Sequence, residues 1–312
     1  MNPWSLFWRQ GHSTTFGPYY KQGYEGAVAD WWKSVLADLP PEVSVMEVGC
    51  GNCSLLPDMV KSGLKGKYIG VDLAAVKPSN VASEGLADSG IELVLHSETP
   101  AEELPEPDAS IDLFASVFGI EYSNLDKSFS EAYRVLKSGG SLRALLHHNQ
   151  SVVTGMSKRA YDEFNAEDFR AVINALTAIS LVRDKVASPS ELKSDAEAEK
   201  NRQILNVFAE KYLSDTNPAT ANATMFELMT QALGFFKVLG ASQAQRQDFI
   251  GGLANEHLAS HERFRQMMAV AFDSEGIDQL KSKLQALGFA EVRGNEVMTD
   301  ENILAWELCA EK

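Results

Sequence analysis

Residues 43–52 read VSVMEVGCGN, a run of β-forming residues that ends in two closely spaced glycines. The apolar run predicts a buried strand, and Gly49 and Gly51 indicate a sharp turn where the backbone comes close to another group. Residues 53–62 have a helical pattern that Gly63 would end. A strand, a glycine turn and a helix are typical of the first half of a nucleotide-binding βαβ unit. Two glycines alone would also suit an ordinary tight turn.

The chain beyond this turn alternates apolar runs with helical patterns. Asp72 ends the second run, about 20 residues after Gly51, where an acid in such units accepts hydrogen bonds from ribose hydroxyls. The alternative role for Asp72 is a helix N-cap. The alternation predicts an α/β fold with a doubly wound, mostly parallel sheet. Its further strands are predicted at 67–72, 91–96, 111–117 and 141–147, with a helix at 124–137.

Four segments follow from these patterns. Residues 1–23 are rich in aromatic residues, glycine and proline, and they predict either a loop packed on the surface or a lid that closes over a ligand. Residues 24–149 begin with an amphipathic helix and contain the five strands. Residues 150–273 show only helical spacing and predict an all-helical insertion. Residues 274–312 complete the core with a last helix and a strand pair.

The last segment has clear boundaries in the sequence. Ser274 is placed to cap the helix and Gly288 to end it. Residues 289–298 and 303–310 predict two strands joined by a short turn, and such neighbours pair antiparallel.

Composition limits the classes of partner. The net charge of −15 disfavours the phosphate backbone of a nucleic acid as the main partner. No apolar run approaches the roughly 20 residues of a membrane span. The first residues lack the basic start and apolar middle of a signal peptide, so we expect a cytoplasmic protein. Three cysteines are too few for a disulfide framework.

Five segments in order resemble class I S-adenosylmethionine-dependent methyltransferases of the small-molecule type. They are MEVGCGNCS (46–54), IGVDLA (69–74), AEELPEPDASIDL (101–113), SVFGIEY (116–122) and EAYRVLKSGGSL (131–142). The resemblance covers about residues 24–148, and the final helix and strand pair fit a seven-stranded Rossmann-like sheet. It implies S-adenosylmethionine as cofactor, S-adenosylhomocysteine as product and a small-molecule methyl acceptor. The helical segment resembles the variable insertions that cover substrates.

The resemblance also implies a set of cofactor contacts. Asp72 would take the ribose hydroxyls and Leu73 would lie against the adenine. Ser97, Thr99, Ala101 and Glu102 compete for the adenine amino group, because the loop after the third strand is long. The remaining residues that we expect at the cofactor belong to the glycine turn and to the end of the fourth strand: Glu47, Gly49, Cys50, Gly51, Ser116, Val117 and Phe118.

Methyl transfer depends mainly on alignment and exclusion of water, and a general base helps when the acceptor carries a proton. Candidates follow strands four and five, where open α/β sheets bind ligands. Glu121, His147 and His148 are the catalytic candidates; Tyr122, Asn149 and His12 are further possibilities. In the structural alternative, Glu121 is a charge at a helix N-terminus, and one of the two adjacent histidines faces the core and the other faces solvent.

Other functions remain open at the level of sequence. Cys50 and Cys53 form a C-x-x-C at a point where the family often has a third glycine, which raises a redox or zinc site as an alternative; we predict no metal. A nicotinamide dehydrogenase is expected to have the motif G-x-G-x-x-G after the first strand, and this chain lacks that motif. The main alternative to an enzyme is a non-catalytic S-adenosylmethionine-binding protein that uses the helical segment as an interaction or homodimer surface.

Overall fold

The computed structural model describes residues 2–312. One sheet contains seven strands: β1 (Glu42–Val48), β2 (Lys65–Asp72), β3 (Ile91–Ser97), β4 (Ile111–Val117), β5 (Leu136–Leu146), β6 (Ala290–Thr299) and β7 (Asn302–Glu311). Their order is β3-β2-β1-β4-β5-β7-β6. Neighbours among β1 to β5 are parallel, and β7 lies antiparallel between β5 and β6. The doubly wound, mostly parallel seven-stranded sheet is confirmed.

Within residues 2–312 the chain forms fourteen α-helices and two short 3₁₀ turns, Gly17–Tyr19 and Ile120–Tyr122. None of these helices combines the length and the apolar character that a membrane crossing requires. The helices are α1 (Pro3–Arg9), α2 (Gly26–Ala37), α3 (Leu56–Ser62), α4 (Asn80–Ser83), α5 (Leu86–Ser89), α6 (Leu125–Val135), α7 (Val152–Glu163), α8 (Ala166–Arg183), α9 (Pro189–Ser194), α10 (Ala196–Leu213), α11 (Ala223–Leu233), α12 (Phe235–Val238), α13 (Gln243–Ala269) and α14 (Ser274–Leu287).

The chain divides into two compact units. The sheet unit comprises the residues up to Met156 and Gln266–Lys312, and the helical unit comprises Ser157–Arg265. In the sheet unit, α2 and α3 share one apolar cluster with one face of the sheet, and α6 and α14 share another cluster with the opposite face. The helical unit has its own core, built mainly by α8, α10 and α11. The segment 2–23 belongs to the sheet unit.

Several local predictions are corrected. Residues 3–9 are helical although the sequence showed no helical pattern, because Asn2 caps Trp4 N and Pro3 suits the first helical position. The helix after the glycine turn begins at Leu56 rather than at position 53, since Cys53 has a φ of +66°. Asp273, not Ser274, caps α14 by accepting from Gly276 N.

Residues 147–149, which follow β5 and lead into the helical insertion, are hydrogen-bonded to Phe272, which follows the insertion. Phe272 N donates to His147 O at 2.8 Å, and Asn149 N donates to Phe272 O at 2.9 Å. These two hydrogen bonds form a short parallel bridge beyond the end of β5. Both ends of the helical insertion are therefore held beside the carboxyl edge of the sheet.

Candidate functional site

The glycine turn after β1 is in backbone contact with the end of β4. Gly49 has a φ of +71°, and a Cβ atom placed on it would lie 2.5 Å from Gly119 Cα. Gly119 is equally crowded, with a hypothetical Cβ 2.8 Å from Gly49 Cα. A side chain at either position would separate the two turns. Glycine at both positions is therefore what lets the ends of β1 and β4 meet.

Asp72 at the end of β2 holds the glycine turn in place. Its Oδ2 accepts from Gly51 N at 2.8 Å, and its Oδ1 accepts from Ala74 N at 2.7 Å. No helix starts there, since the next one begins at Asn80 and is capped by Ser79, so the helix N-cap alternative is wrong. Each carboxylate oxygen retains a lone pair that can accept a further donor.

A cavity opens at this edge of the sheet and encloses about 730 Å³ when its solvent mouth is included. It collects residues from the glycine turn, from the ends of β2 and β4, from the loop after β3 and from the N-terminal segment. Seven predicted cofactor residues line it: Gly49, Asp72, Leu73, Thr99, Ala101, Glu102 and Phe118. The other lining residues are Asn2, Trp4, Trp8, Thr15, Val48, Val71, Ala74, Gly119, Tyr122 and Ser123.

Glu47 does not line the cavity, and this placement differs from the prediction. Its buried carboxyl accepts hydrogen bonds from Tyr68 Oη and from Leu55 N, just before α3. Burial raises the pKa of Glu47 to about 8. This carboxyl therefore braces the turn from within the core.

The other four predicted cofactor residues also lie outside the cavity wall. Cys50 is fully buried, and Gly51 donates its N–H to Asp72. Ser116 Oγ donates to Val48 O and accepts from Ile120 N, and Val117 packs in the core. These positions shape the turns that carry the wall and do not present side chains to it.

The C-x-x-C has a structural explanation. Cys50 and Cys53 are both free and fully buried, and burial raises the pKa of the Cys50 thiol. Over residues 2–312 there is no cluster of three or more His, Cys, Asp or Glu residues that could hold a metal. Cys53 has a left-handed φ of +66°, the conformation that favours glycine, which explains why a glycine suits this position.

The N-terminal segment covers the glycine turn. The Trp8 indole lies so close to Gly51 that a Cβ there would be 2.2 Å from the ring. Asn52 Nδ2 donates to Trp8 O and to His12 O, both at 2.9 Å. Ser5 Oγ accepts from Ala75 N, beyond Asp72. Sequence patterns gave no signal for Asn52, which is the main anchor of the segment.

Replacing Asn52 by alanine should loosen residues 4–16 without unfolding the sheet. The variant loses two hydrogen bonds to backbone carbonyls, each with a net value of about 1 kcal/mol. We expect amide hydrogens in 4–16 to exchange at least tenfold faster by mass spectrometry. Asn80→Ala, at an exposed position, is the control. Unchanged exchange in Asn52→Ala would show that other contacts hold the segment.

Three of the catalytic candidates, Tyr122, His147 and Glu121, lie next to one another, with Tyr122 on the cavity wall. Tyr122 lines the cavity, and its hydroxyl lies 3.0 Å from His147 Nε2. Glu121 Oε1 accepts from His147 N at 3.1 Å and lies 3.7 Å from His147 Nδ1. Burial raises the pKa of Glu121 to about 8 and lowers that of His147 to about 3. Glu121 is the acidic residue in the first turn of the short 3₁₀ helix Ile120–Tyr122, as the structural alternative expected, but its side chain is buried.

The remaining candidates lie elsewhere. His148 is buried, stacks on Trp306 and faces Glu296 at 3.5 Å, which places it away from the cavity wall. Since both His147 and His148 are buried, the alternative in which one of them faces solvent is also wrong. Asn149 is exposed and its N–H bonds Phe272 O. His12 contacts Gln10 and Phe7.

The residues of the wall fit S-adenosylmethionine. Asp72 can accept from a ribose diol, and the Leu73 side chain, 63% exposed, offers an apolar surface to an adenine ring. Gly49 and Gly119 keep the ends of β1 and β4 in contact at this wall, because a Cβ on either would push the two turns apart. Thr99 and Glu102 supply further polar groups to the wall.

Comparison with known proteins agrees with this geometry. A family model described as a methyltransferase domain matches residues 46–144, about a third of the chain. A ubiquinone/menaquinone biosynthesis C-methyltransferase of Brucella anthropi is 43% identical over 83 residues, which cover 26% of this chain and 29% of the relative. The same enzyme of Brucella canis is 42% identical over 90 residues, 28% of this chain and 30% of the relative. The matches thus span less than a third of these relatives.

Solved methyltransferase structures also match. A putative S-adenosylmethionine-dependent methyltransferase of Methanococcus maripaludis is 13% identical, with 92% of this chain and 85% of that chain covered and a TM-score of 0.40. A possible histamine N-methyltransferase of Thermotoga maritima is 24% identical, with 51% and 69% covered and a TM-score of 0.36. The strand order and the family-model match over residues 46–144 together make this chain similar to the class I S-adenosylmethionine-dependent methyltransferases.

Proposed function

We propose that the protein transfers a methyl group from S-adenosylmethionine to a small or medium-sized acceptor by in-line displacement. One observation carries the proposal. A single cavity gathers the glycine turn, the acid at the end of β2 and the end of β4, the same segments that carry the resemblance. Bound S-adenosylmethionine would supply a methyl group on a positively charged sulfur.

Residue roles follow from the cavity wall. Asp72 would bind the ribose hydroxyls and Leu73 would contact the adenine, with Thr99, Ala101 and Glu102 nearby. Gly49 and Phe118 would flank the amino-acid part of the cofactor, where β1 and β4 meet. These assignments are open to test by substitution one residue at a time.

The N-terminal segment supports the water exclusion that methyl transfer needs. Trp4 and Trp8 line the cavity from above the turn. Trp4 Nε1 donates to Gln266 Oε1 at 2.9 Å, and the Trp4 ring meets Tyr122 edge-on at 5.4 Å between centroids. A cover made of aromatic rings keeps bulk water from the reacting atoms and holds reactants in register. We therefore assign the lid role to residues 2–16.

The acceptor is proposed only as a class. The curated relatives are C-methyltransferases of ubiquinone and menaquinone biosynthesis, but the chain matches less than a third of their length. The family-model match ends at residue 144, before the helical unit begins. The net charge of −15 disfavours nucleic acid as the acceptor.

The proposal also includes a homodimer formed through the helical unit. Sedimentation velocity would contradict the homodimer if it showed the mass of a single chain.

Binding of S-adenosylhomocysteine tests the proposal directly. At 100 times its dissociation constant the ligand should stabilise the folded protein by about 2.7 kcal/mol, seen as a raised melting temperature. Adenosine alone and NAD⁺ are the control ligands for this measurement. No stabilisation by either S-adenosylhomocysteine or S-adenosylmethionine would remove the cofactor from the proposal, and stabilisation by NAD⁺ instead would favour a dehydrogenase.

Release of labelled methyl groups then tests the activity. Protein incubated with methyl-labelled S-adenosylmethionine and a small-molecule extract should transfer label to one or a few products. Cofactor binding without transfer across several extracts would favour a non-catalytic binding protein.

A further inference from the structure

Three polar side chains form a line that runs inward from the cavity. Tyr122 stands on the wall, His147 lies behind it with 2% of its surface exposed, and Glu121 lies beyond His147 with its side chain fully buried. The Tyr122 hydroxyl and His147 Nε2 are 3.0 Å apart. The Phe118 ring packs on the His147 imidazole at 4.7 Å between centroids and separates it from the cavity.

Two buried polar atoms in this line have no hydrogen-bond partner: His147 Nδ1 and Glu121 Oε2. Buried polar atoms are nearly always satisfied, since an unsatisfied one costs about 1–3 kcal/mol. Glu121 Oε1 and His147 Nδ1 are 3.7 Å apart, so a small rotation of the carboxyl would join them. Unpaired buried atoms of this kind are uncommon in a cluster that only supports the fold.

We propose that Tyr122, His147 and Glu121 form a proton relay, in which Tyr122 takes the proton of the methyl acceptor and passes its own to His147 Nε2 while Glu121 balances the charge. The inference rests on the proposed function, because it requires an acceptor that carries a proton on oxygen or nitrogen. It assigns Tyr122 as the catalytic residue and the two buried residues as positioning and charge-balancing groups.

The relay balances atoms and charge. As the acceptor attacks the methyl carbon, the carbon–sulfur bond breaks and its electron pair stays on sulfur, which becomes neutral. The acceptor proton goes to Tyr122 Oη, and the Tyr122 proton goes to His147 Nε2. Burial alone lowers the pKa of His147, and the ionised Glu121 offsets this because it forms a neutral pair with the new imidazolium, so the buried site holds no net charge.

The relay is coupled to the ionisation of Glu121. With Glu121 neutral, its proton can be donated to His147 Nδ1, which leaves the ring proton on Nε2 and blocks the relay. With Glu121 ionised, Nδ1 keeps the ring proton and Nε2 is free to accept. The titratable groups that face the imidazole are Glu121 and Tyr122; Glu296 on β6 faces His148 instead. Because burial raises the pKa of Glu121 to about 8, the base form grows as pH rises through 8.

Nitrogen NMR of histidine-labelled protein tests the relay without any acceptor. The sample is the full chain with saturating S-adenosylhomocysteine, and His147→Asn identifies the His147 signal among the six histidines. We expect the Nε2–H tautomer near pH 6.5 to give way to the Nδ1–H tautomer above pH 8. In Glu121→Gln this transition should disappear, and in Tyr122→Phe the Nε2 signal above pH 8 should shift because the hydroxyl donor is gone.

Glu296→Gln is the matched control. It removes a carboxyl 3.5 Å from the neighbouring His148 and should move that signal but not the His147 signal. An Nε2–H tautomer throughout pH 6–10, or a His147 transition that survives Glu121→Gln, would overturn the relay. Melting curves show whether each variant folds. If Glu121→Gln does not fold, Tyr122→Phe remains as the test, because it changes a partly exposed residue and keeps the aromatic ring.

The methyl-release assay supplies a second readout. General bases contribute about 100-fold or more to rate, so Tyr122→Phe should lower turnover about 100-fold while S-adenosylhomocysteine affinity stays within about twofold. Full turnover in Tyr122→Phe would overturn the relay and leave the methyltransferase proposal standing. Failure of the wild type to bind S-adenosylhomocysteine would remove both.

Discussion

Replacing Gly49 by alanine should lower the free energy of unfolding by about 3 kcal/mol. The backbone φ of +71° is unfavourable for any residue with a Cβ, and the new atom would lie 2.5 Å from Gly119 Cα. Backbone atoms cannot rotate away as a side chain can, so the turn after β1 and the end of β4 must separate. Urea denaturation without ligand measures the effect.

Gly63→Ala is the matched control for this prediction. Gly63 has nearly the same φ, +78°, but a Cβ there would meet no atom within 4 Å. Its cost should be limited to the backbone conformation, about 1 kcal/mol. Equal losses in the two variants would mean that the close approach between Gly49 and Gly119 contributes nothing.

Asp72→Asn should weaken binding of S-adenosylhomocysteine about 100-fold. The carboxylate accepts from Gly51 N and Ala74 N and faces the cavity. An amide keeps the shape but loses the charge and turns an N–H₂ group toward one of these donors. Two weakened charge-assisted hydrogen bonds to a ribose diol account for a loss of this size. Calorimetric titration of both proteins gives the ratio directly.

Asp112→Asn separates binding from folding. Asp112 also accepts from a backbone amide, Ser44 N at 2.8 Å, and pairs with Lys137, but it does not line the cavity. This variant should lose stability and keep its affinity. If Asp72→Asn binds as tightly as the wild type, the ribose role of Asp72 is wrong.

The sheet was predictable because its signals are local and repeated. Elements end in residues with a fixed physical role, as strands β1 and β2 do at Gly49 and Asp72 and helix α14 does at Gly288, and the ordered spacing of these residues restricts the topology. The helix boundaries were less predictable. A positive φ at Cys53 delays α3 by several residues, and position 53 alone gives no sign of that strain.

The walls of the cavity were predictable only in part. Residues of the motif loops reach the wall when their side chains point outward, as Leu73 and Thr99 do. Glu47 and Ser116 belong to the same motifs, yet their side chains point inward and bond the backbone of neighbouring turns. Contributions from residues 2–15 depend on long-range contacts such as Asn52 to Trp8, which no local pattern encodes.

The bridge between His147, Asn149 and Phe272 has a further consequence. These hydrogen bonds join the residues before the insertion to the residue after it, so the two ends of the insertion stay together whatever lies between them. Insertions of different length and sequence can then be exchanged at this junction during evolution without reopening the core. The ends of β1, β2 and β4 that form the cavity can then keep their positions while the insertion changes.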